Sequence, residues 1–214
     1  MDYIKQPQLI EQHSFEIISG IIAEERPEYR FADPLQEKII KRAIHTTADF
    51  DWLDILTFSH DALDAIITAL QQGCTLYTDT TMALSGINKS QLQQMGCQIN
   101  CFVAHPDVAE IAKQNGITRS MAAVDLAMQQ PGNKLFIFGN APTALFRLLE
   151  ISRENPACEY PVIGVPVGFV GAAESKQALT ESQLPYIAAL GRKGGSNVAA
   201  AIVNAILYHL REAQ

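Results

Sequence analysis

Lys134-Leu135-Phe136-Ile137-Phe138-Gly139-Asn140-Ala141-Pro142-Thr143 takes the chain through a strand, a turn and the start of a helix. Four consecutive large apolar residues, too few for a helix and closed by glycine, read as a strand buried on both faces. Pro142, with its fixed φ and missing N–H, suits the first turn of a helix, predicted here over residues 142–153. The same rhythm recurs on both sides. Strands are predicted over 74–79, 98–104, 134–139, 162–167 and 186–190, and further helices over 7–23, 59–71, 106–114, 120–129 and 196–211. Strands alternating with helices predict an α/β fold: a single domain over residues 1–214, with a largely parallel central sheet of about five strands and helices on both faces. In such sheets the ligand crevice lies outside the carboxyl ends of the strands, so the functional residues are expected at the strand exits.

Composition agrees with one soluble core. The 214 residues are 48% apolar and 18% charged, without repeats, low-complexity runs or linkers. Sixteen Lys and Arg against 23 Asp and Glu give a formal net charge of −7, and no basic tract interleaves with aromatics, which argues against nucleic acid as a partner. An anionic small molecule is still allowed, because a few local donors override a weak overall field. The opening Met1-Asp2-Tyr3-Ile4-Lys5 lacks the layout of a secretory leader. The longest apolar run, residues 198–210, carries Asn204 and His209 and falls short of the roughly 20 residues a bilayer needs. A cytoplasmic protein without a membrane partner is expected. Cys74, Cys97, Cys101 and Cys158 show neither a CxxC pair nor zinc spacing, so buried reduced thiols and no metal site are expected.

Four predicted strand exits carry polar or glycine-rich turns: Asp79-Thr80-Thr81, Gly139-Asn140-Ala141-Pro142-Thr143, Gly168-Phe169-Val170-Gly171 and Gly191-Arg192-Lys193-Gly194-Gly195-Ser196-Asn197. Glycine lets the backbone approach a ligand, and the following helix start offers unpaired N–H groups, so each is a candidate anion cradle. Glycines at strand ends also make plain tight connections. The spacing matches neither GxxxxGK[ST] nor GxGxxG, so a nucleotide is not indicated. A ligand with several separated carboxylates would use several cradles.

The most unusual run is Arg42-Ala43-Ile44-His45-Thr46-Thr47-Ala48-Asp49-Phe50, a histidine and two threonines where a helical pattern ends. Imidazole titrates near neutral pH and exchanges protons at small cost. A lone histidine at a helix end is equally what a capping or surface residue looks like. Asp49 could orient the imidazole or face solvent.

With Ser14-Phe15-Glu16-Ile17-Ile18, Asp79-Thr80, Met82, Thr118-Arg119, the Gly139 to Leu145 run, Pro166 to Ala172, Glu174-Ser175-Lys176 and Gly191 to Asn197, this segment makes nearly the whole chain resemble the precorrin-8X and cobalt-precorrin-8 methylmutase family. The resemblance implies an isomerase of corrin biosynthesis that moves a methyl group from C11 to C12 of a tetrapyrrole, giving hydrogenobyrinate or cobyrinate. It places the catalytic histidine at His45 and implies a homodimer with sites near the interface. No cofactor is expected; cobalt, if present, belongs to the substrate. The candidate substrate-binding residues are Ser14, Thr46, Thr47, Thr80, Arg119, Asn140, Thr143, Arg192, Lys193, Gly194, Gly195 and Ser196. Lys176 reads as exposed beside Glu174, and His13, His60, His105 and His209 lack the context of His45. Two other readings share some of these features: a corrinoid carrier without catalysis, which needs no His45, and an enzyme acting on a phosphorylated metabolite.

Overall fold

Alternate residues of one strand face two cores. In β4 (Lys134–Phe138), Leu135 and Ile137 join one apolar cluster, while Phe136 and Phe138 join another. That is the period-two alternation of a strand covered on both faces. The computed structural model describes residues 4–155 and 157–212; Met1 to Tyr3 of the opening segment lie outside them.

Six strands form the sheet, in the order β1-β6-β5-β4-β2-β3. Around β4 these are β2 (Thr75–Thr78), β3 (Gln98–Asn100), β5 (Val162–Gly164) and β6 (Tyr186–Ala189), all parallel to one another. The sixth is β1 (Leu56–Phe58), antiparallel to β6 at the edge. A three-residue edge strand displays no period, which is why five strands were expected. The predicted strands 98–104 and 162–167 are cut to three residues each as the chain turns into the following loops.

One face carries α1 (Pro7–Glu25), α2 (Pro34–Thr47), α4 (Ala62–Gln71) and α11 (Ser196–Glu212), which share the larger core. The other carries α8 (Arg119–Gln129), α9 (Pro142–Glu154) and α10 (Ala172–Thr180), with α7 (Pro106–Asn115) packed against α8. Short helices α3 (Trp52–Ile55), α5 (Thr81–Gly86) and α6 (Lys89–Gln94) fill the connections. Among the described residues no helix is long and apolar enough to cross a membrane.

Helix α2 sets the position of His45. Asp33 caps its start by accepting from the amides of Leu35 (2.7 Å) and Gln36 (3.2 Å), and Pro34 occupies the first turn. Ala48 ends it in the left-handed region at φ 53°, donating to the Ile44 carbonyl at 2.7 Å. His45 therefore rides on the last turn. Ile39, Ile40, Ala43 and Ile44 bury the opposite side of the helix, which packs along α11.

Strand order reverses between β2 and β4: β3 lies to one side of β2, and β4, β5 and β6 run off to the other. This is the switch point at which open α/β sheets leave a crevice. Two glycines there allow backbones to touch. A Cβ on Gly139 would stand 2.6 Å from Ser196 Cα, and one on Gly194 would stand 2.1 Å from the Val165 carbonyl oxygen. Both obstacles are backbone and can yield only by moving a loop. Gly194→Ala is expected to destabilise the fold by roughly 1–3 kcal/mol, seen as a lower urea midpoint; an unchanged midpoint would mean that the loop shifts freely.

Candidate functional site

Asp79 leaves β2 with its side chain buried, 5% exposed. Its Oδ1 accepts from the Gly139 amide at 3.0 Å, and its Oδ2 from the amides of Asn140 at 2.7 Å and Ala141 at 2.6 Å. Burial pushes this carboxyl up from its ordinary value, and the three N–H donors pull it the other way. The turn from Gly139 to Thr143, expected as a cradle for a ligand, thus spends three of its amides on an internal carboxylate. Thr80 follows and caps α5: its hydroxyl accepts from the Ala83 amide at 3.1 Å and shares a 2.7 Å hydrogen bond with Ser196 at the start of α11.

His45 is exposed on α2 and stacks on Phe15 of α1, with ring centroids 5.3 Å apart and planes 19° from parallel. The Arg42 guanidinium lies 4.7 Å from the same Phe15 ring and pairs with Glu11. Among the described residues neither imidazole nitrogen has a hydrogen bond. Asp49 does not orient the ring: its carboxylate binds Lys193 and accepts from the Asp51 amide at 3.0 Å. The Phe15 stack holds the imidazole instead, leaving both nitrogens free for a ligand.

His45 and Thr46 line a cavity of about 330 Å³ with Arg42 from α2, Met82 and Gly86 from α5, and Asn197, Ala200, Ala201, Asn204 and Tyr208 from α11. The Thr46 hydroxyl donates to the Arg42 carbonyl at 2.8 Å. Thr47 is absent from that wall; its hydroxyl donates to the Ala43 carbonyl at 2.8 Å and accepts from Trp52 Nε1 at 2.7 Å. Ser14 bonds back to the Ile10 carbonyl at 2.8 Å on its own helix. A larger groove of about 780 Å³ shares Arg42 and Tyr208 with this cavity; of its cations, Lys38, Lys41 and Arg42 are paired with Glu212, Glu37 and Glu11, and Arg211 lies against the Tyr208 ring.

The loop after β6 is stitched to the loop after β5. The Gly195 amide donates to the Val165 carbonyl at 2.9 Å, and the Gly168 amide donates to the Arg192 carbonyl at 3.1 Å. Arg192 is exposed with its guanidinium 5.7 Å from the Phe169 ring, and among the described residues it has no ion pair. Lys193 differs, since its ammonium binds the carboxylates of both Asp49 and Asp51. Those aspartates raise the Lys193 ammonium above its ordinary value. The carbonyl of Lys193 accepts from Lys176 Nζ at 2.7 Å.

Lys176 corrects the sequence expectation of an exposed face: it is fully buried. Ala172, Ser175, Lys176 and Leu179 are the buried stripe of α10, at the i, i+3, i+4, i+7 spacing of a helix face, and Glu174 points outward. The Lys193 carbonyl is what makes a lysine tolerable in that stripe. Burial lowers the Lys176 ammonium to about 8.

The remaining candidates lie on the other helical layer. Thr143 at the start of α9 shares a 3.1 Å hydrogen bond with Thr118, the cap of α8. Asn140 and Arg119 are exposed, and Arg119 lines a separate depression of about 520 Å³ beside Glu110 and Lys113. The structure therefore joins His45 with Thr46, Thr80 with Ser196, and the loop of Arg192 to Gly195 with the exit of β5, while Arg119 stands apart.

A family model described as precorrin-8X methylmutase matches residues 9–209. The chain belongs to that family. It is 66% identical to a cobalt-precorrin-8 methylmutase of Salmonella typhimurium over 214 residues, covering 100% of both chains. A precorrin-8X methylmutase of Pseudomonas aeruginosa is 37% identical over 210 residues, 96% of this chain and 97% of the other. A solved precorrin-8x methyl mutase from Thermus thermophilus superposes with a TM-score of 0.82 at 33% identity, over 95% of this chain and 98% of that one. As a member of the family the chain is an isomerase that carries out an intramolecular methyl transfer.

For this family member, sequence reasoning quoted Phe15 and Arg42 without a role and read Asp79 as part of a ligand cradle. Phe15 and Arg42 had a usable signal in their helical spacing, but nothing local revealed the partner of Asp79. The buried Lys176 yields a test of its own. Its folded-state value lies below its ordinary 10.5, so between about pH 8 and 10.5 the unfolded chain holds more protons than the folded one. Stability of the wild type should then rise with pH relative to Lys176→Met, by up to about 1.4 kcal/mol per pH unit inside that window. Urea midpoints of the two proteins below and within the window check this; a constant gap would mean that the ammonium is not desolvated.

Proposed function

We propose that the chain moves the methyl group at C11 of precorrin-8X or cobalt-precorrin-8 to C12, giving hydrogenobyrinate or cobyrinate. The observation that carries this reading is an imidazole stacked on Phe15, both nitrogens unengaged among the described residues, in the wall of a cavity at the end of α2. His45 gives a proton or hydrogen bond to the macrocycle and draws electron density through its conjugated system. The bond from the methyl carbon to C11 breaks as the bond to C12 forms, in a [1,5] shift, and the proton returns to His45. The methyl group stays on the ring throughout, so no methyl donor, redox cofactor or protein-bound metal is needed; cobalt, where present, is part of the substrate.

The substrate's acetate and propionate arms need donors around the ring. Arg192 is the natural one beside the end of α2, and Arg119, which stands apart, would meet an outer arm; among the described residues neither has an ion pair. Thr46 joins His45 at the ring, and Asn140, Thr143 and Ser14 are secondary contacts, while the Gly194-Gly195 backbone is taken up by Val165. Thr47, Thr80 and Ser196 support this surface through the hydrogen bonds already described. A cavity of about 330 Å³ is small for a tetrapyrrole, because ligand pockets run to roughly 1,000 Å³. Met82, Phe169 and Val170 also stand exposed. We therefore assign a homodimer in which the second subunit completes the site. All four cysteines are free thiols, in keeping with a reducing cytoplasm.

His45→Ala should lower isomerisation at least about 100-fold while substrate still binds. The change in the substrate's absorption spectrum reads the first, and its equilibrium titration reads the second. Near wild-type turnover in this variant would remove His45 from the mechanism, and a wild type that binds without altering the chromophore would make the chain a carrier. Arg192→Gln and Arg119→Gln should each raise KM about tenfold with little change in kcat, because contacts to peripheral carboxylates stabilise ground and transition states alike. A fall in kcat alone would contradict that assignment.

A further inference from the structure

We infer that Lys193 is a positioning residue that fixes the end of the His45 helix to the loop carrying Arg192, and that buried Lys176 in turn anchors Lys193. The inference uses the methylmutase reading for its catalytic readout, and its structural half stands without that reading.

Three contacts carry it. Lys193 Nζ binds Asp49 and Asp51, which flank the turn that follows His45, Thr46, Thr47 and Ala48. The Lys193 carbonyl accepts from Lys176 Nζ at 2.7 Å, inside a stripe that is otherwise apolar or small. One residue before it, the Arg192 carbonyl accepts from the Gly168 amide at 3.1 Å. Lys193 is thus held through its backbone by α10 and through its side chain by the turn after α2. It joins α10, the loop after β6 and the end of α2, which are separate in sequence.

Charge decides against the other role for Lys193, that of gripping a substrate carboxylate. One ammonium between two carboxylates carries a net charge of −1, so an incoming carboxylate meets repulsion rather than an open cation. Arg192, one residue away, has no such neutraliser among the described residues. The loop therefore divides its labour, with Arg192 outward for ligand and Lys193 across for geometry. The side chain of Lys193 is 46% exposed and that of Asp51 is 63% exposed. Ion pairs so placed contribute little to stability, and their worth is in where they hold a turn. Ala48 adds a reason for such a hold, because a non-glycine residue in the left-handed region leaves the turn easy to relax.

The test uses full-length Lys193→Met, Lys193→Arg, the pair Asp49→Asn with Asp51→Asn, and the combination of that pair with Lys193→Met. Lys193→Met should lower kcat roughly 10- to 100-fold with KM within about threefold, since a misplaced catalytic group costs rate more than binding. Lys193→Arg should restore most of the rate. Adding the aspartate changes to Lys193→Met should cost nothing further, as expected for groups acting as one unit. Hydrogen exchange at the amides of Ala48 to Asp51 should speed up in Lys193→Met while the thermal midpoint stays near that of the wild type. A raised KM with kcat intact, additive losses, or unchanged exchange in this turn would each overturn the inference. An inactive wild type would overturn the methylmutase reading instead, and exchange at the turn would still decide whether the lysine holds it.

Discussion

A carboxylate in a nearly closed space with no cation beside it is expensive unless hydrogen bonds replace the water it lost. Asp79 meets that condition through three amides at the start of α9, contributed by a chain segment 60 residues away. The bond network locks the exits of β2 and β4 together at the point where strand order reverses. Thr80 then falls where it can cap α5 and meet Ser196, which fixes the first turn of α11. Helix α11 carries α2, and α2 carries His45. The site is thus set out from one internal anion, and the helix start that might have bound a ligand serves to build the crevice.

The alternation of short apolar runs with helical patterns was enough to read the parallel sheet and its two layers, because burial on both faces leaves that trace in any sequence. Edge strand β1 left none, since Leu56, Thr57 and Phe58 are too few for a period and the pairing with β6 is set by tertiary contact. Helix α2 was legible only at its end, although Asp33, Pro34 and Glu37 mark a start. Lys176 was misread because its chemistry was weighed above its position: the stripe it shares with Ala172, Ser175 and Leu179 was already present in the sequence.

The sequence offers candidate site residues singly, but not their pairings. His45 and Thr46 are neighbours on one helix and share a cavity, as local reasoning expects. Whether a donor is free depends on residues far off, and Lys193 meets Asp49 across 144 positions. Glycine is the clearest case. A backbone approaching a ligand and a backbone approaching another backbone both need a missing Cβ, so Gly139 and Gly194 look the same in sequence under either use. Ser196 and Val165 fill the space beside them.

Which cations are left open matters more here than how many there are. The chain is acidic overall, and in the large groove beside His45 the cations Lys38, Lys41 and Arg42 are paired with glutamates while Arg211 lies against the Tyr208 ring, so net charge alone would not draw a polyanion to the crevice. Arg192 lies 5.7 Å from the centroid of the exposed Phe169 ring, a contact that leaves its guanidinium donors unspent. A lysine in its place would lack a fork of donors matched to a carboxylate. Pairing with two aspartates would also keep the Lys193 ammonium from competing with Arg192 for one arm of a ligand. On the proposed reading, selectivity of this edge for a carboxylate-fringed ring would rest on an arginine left unpaired, among the described residues, beside a lysine already neutralised in the loop after β6.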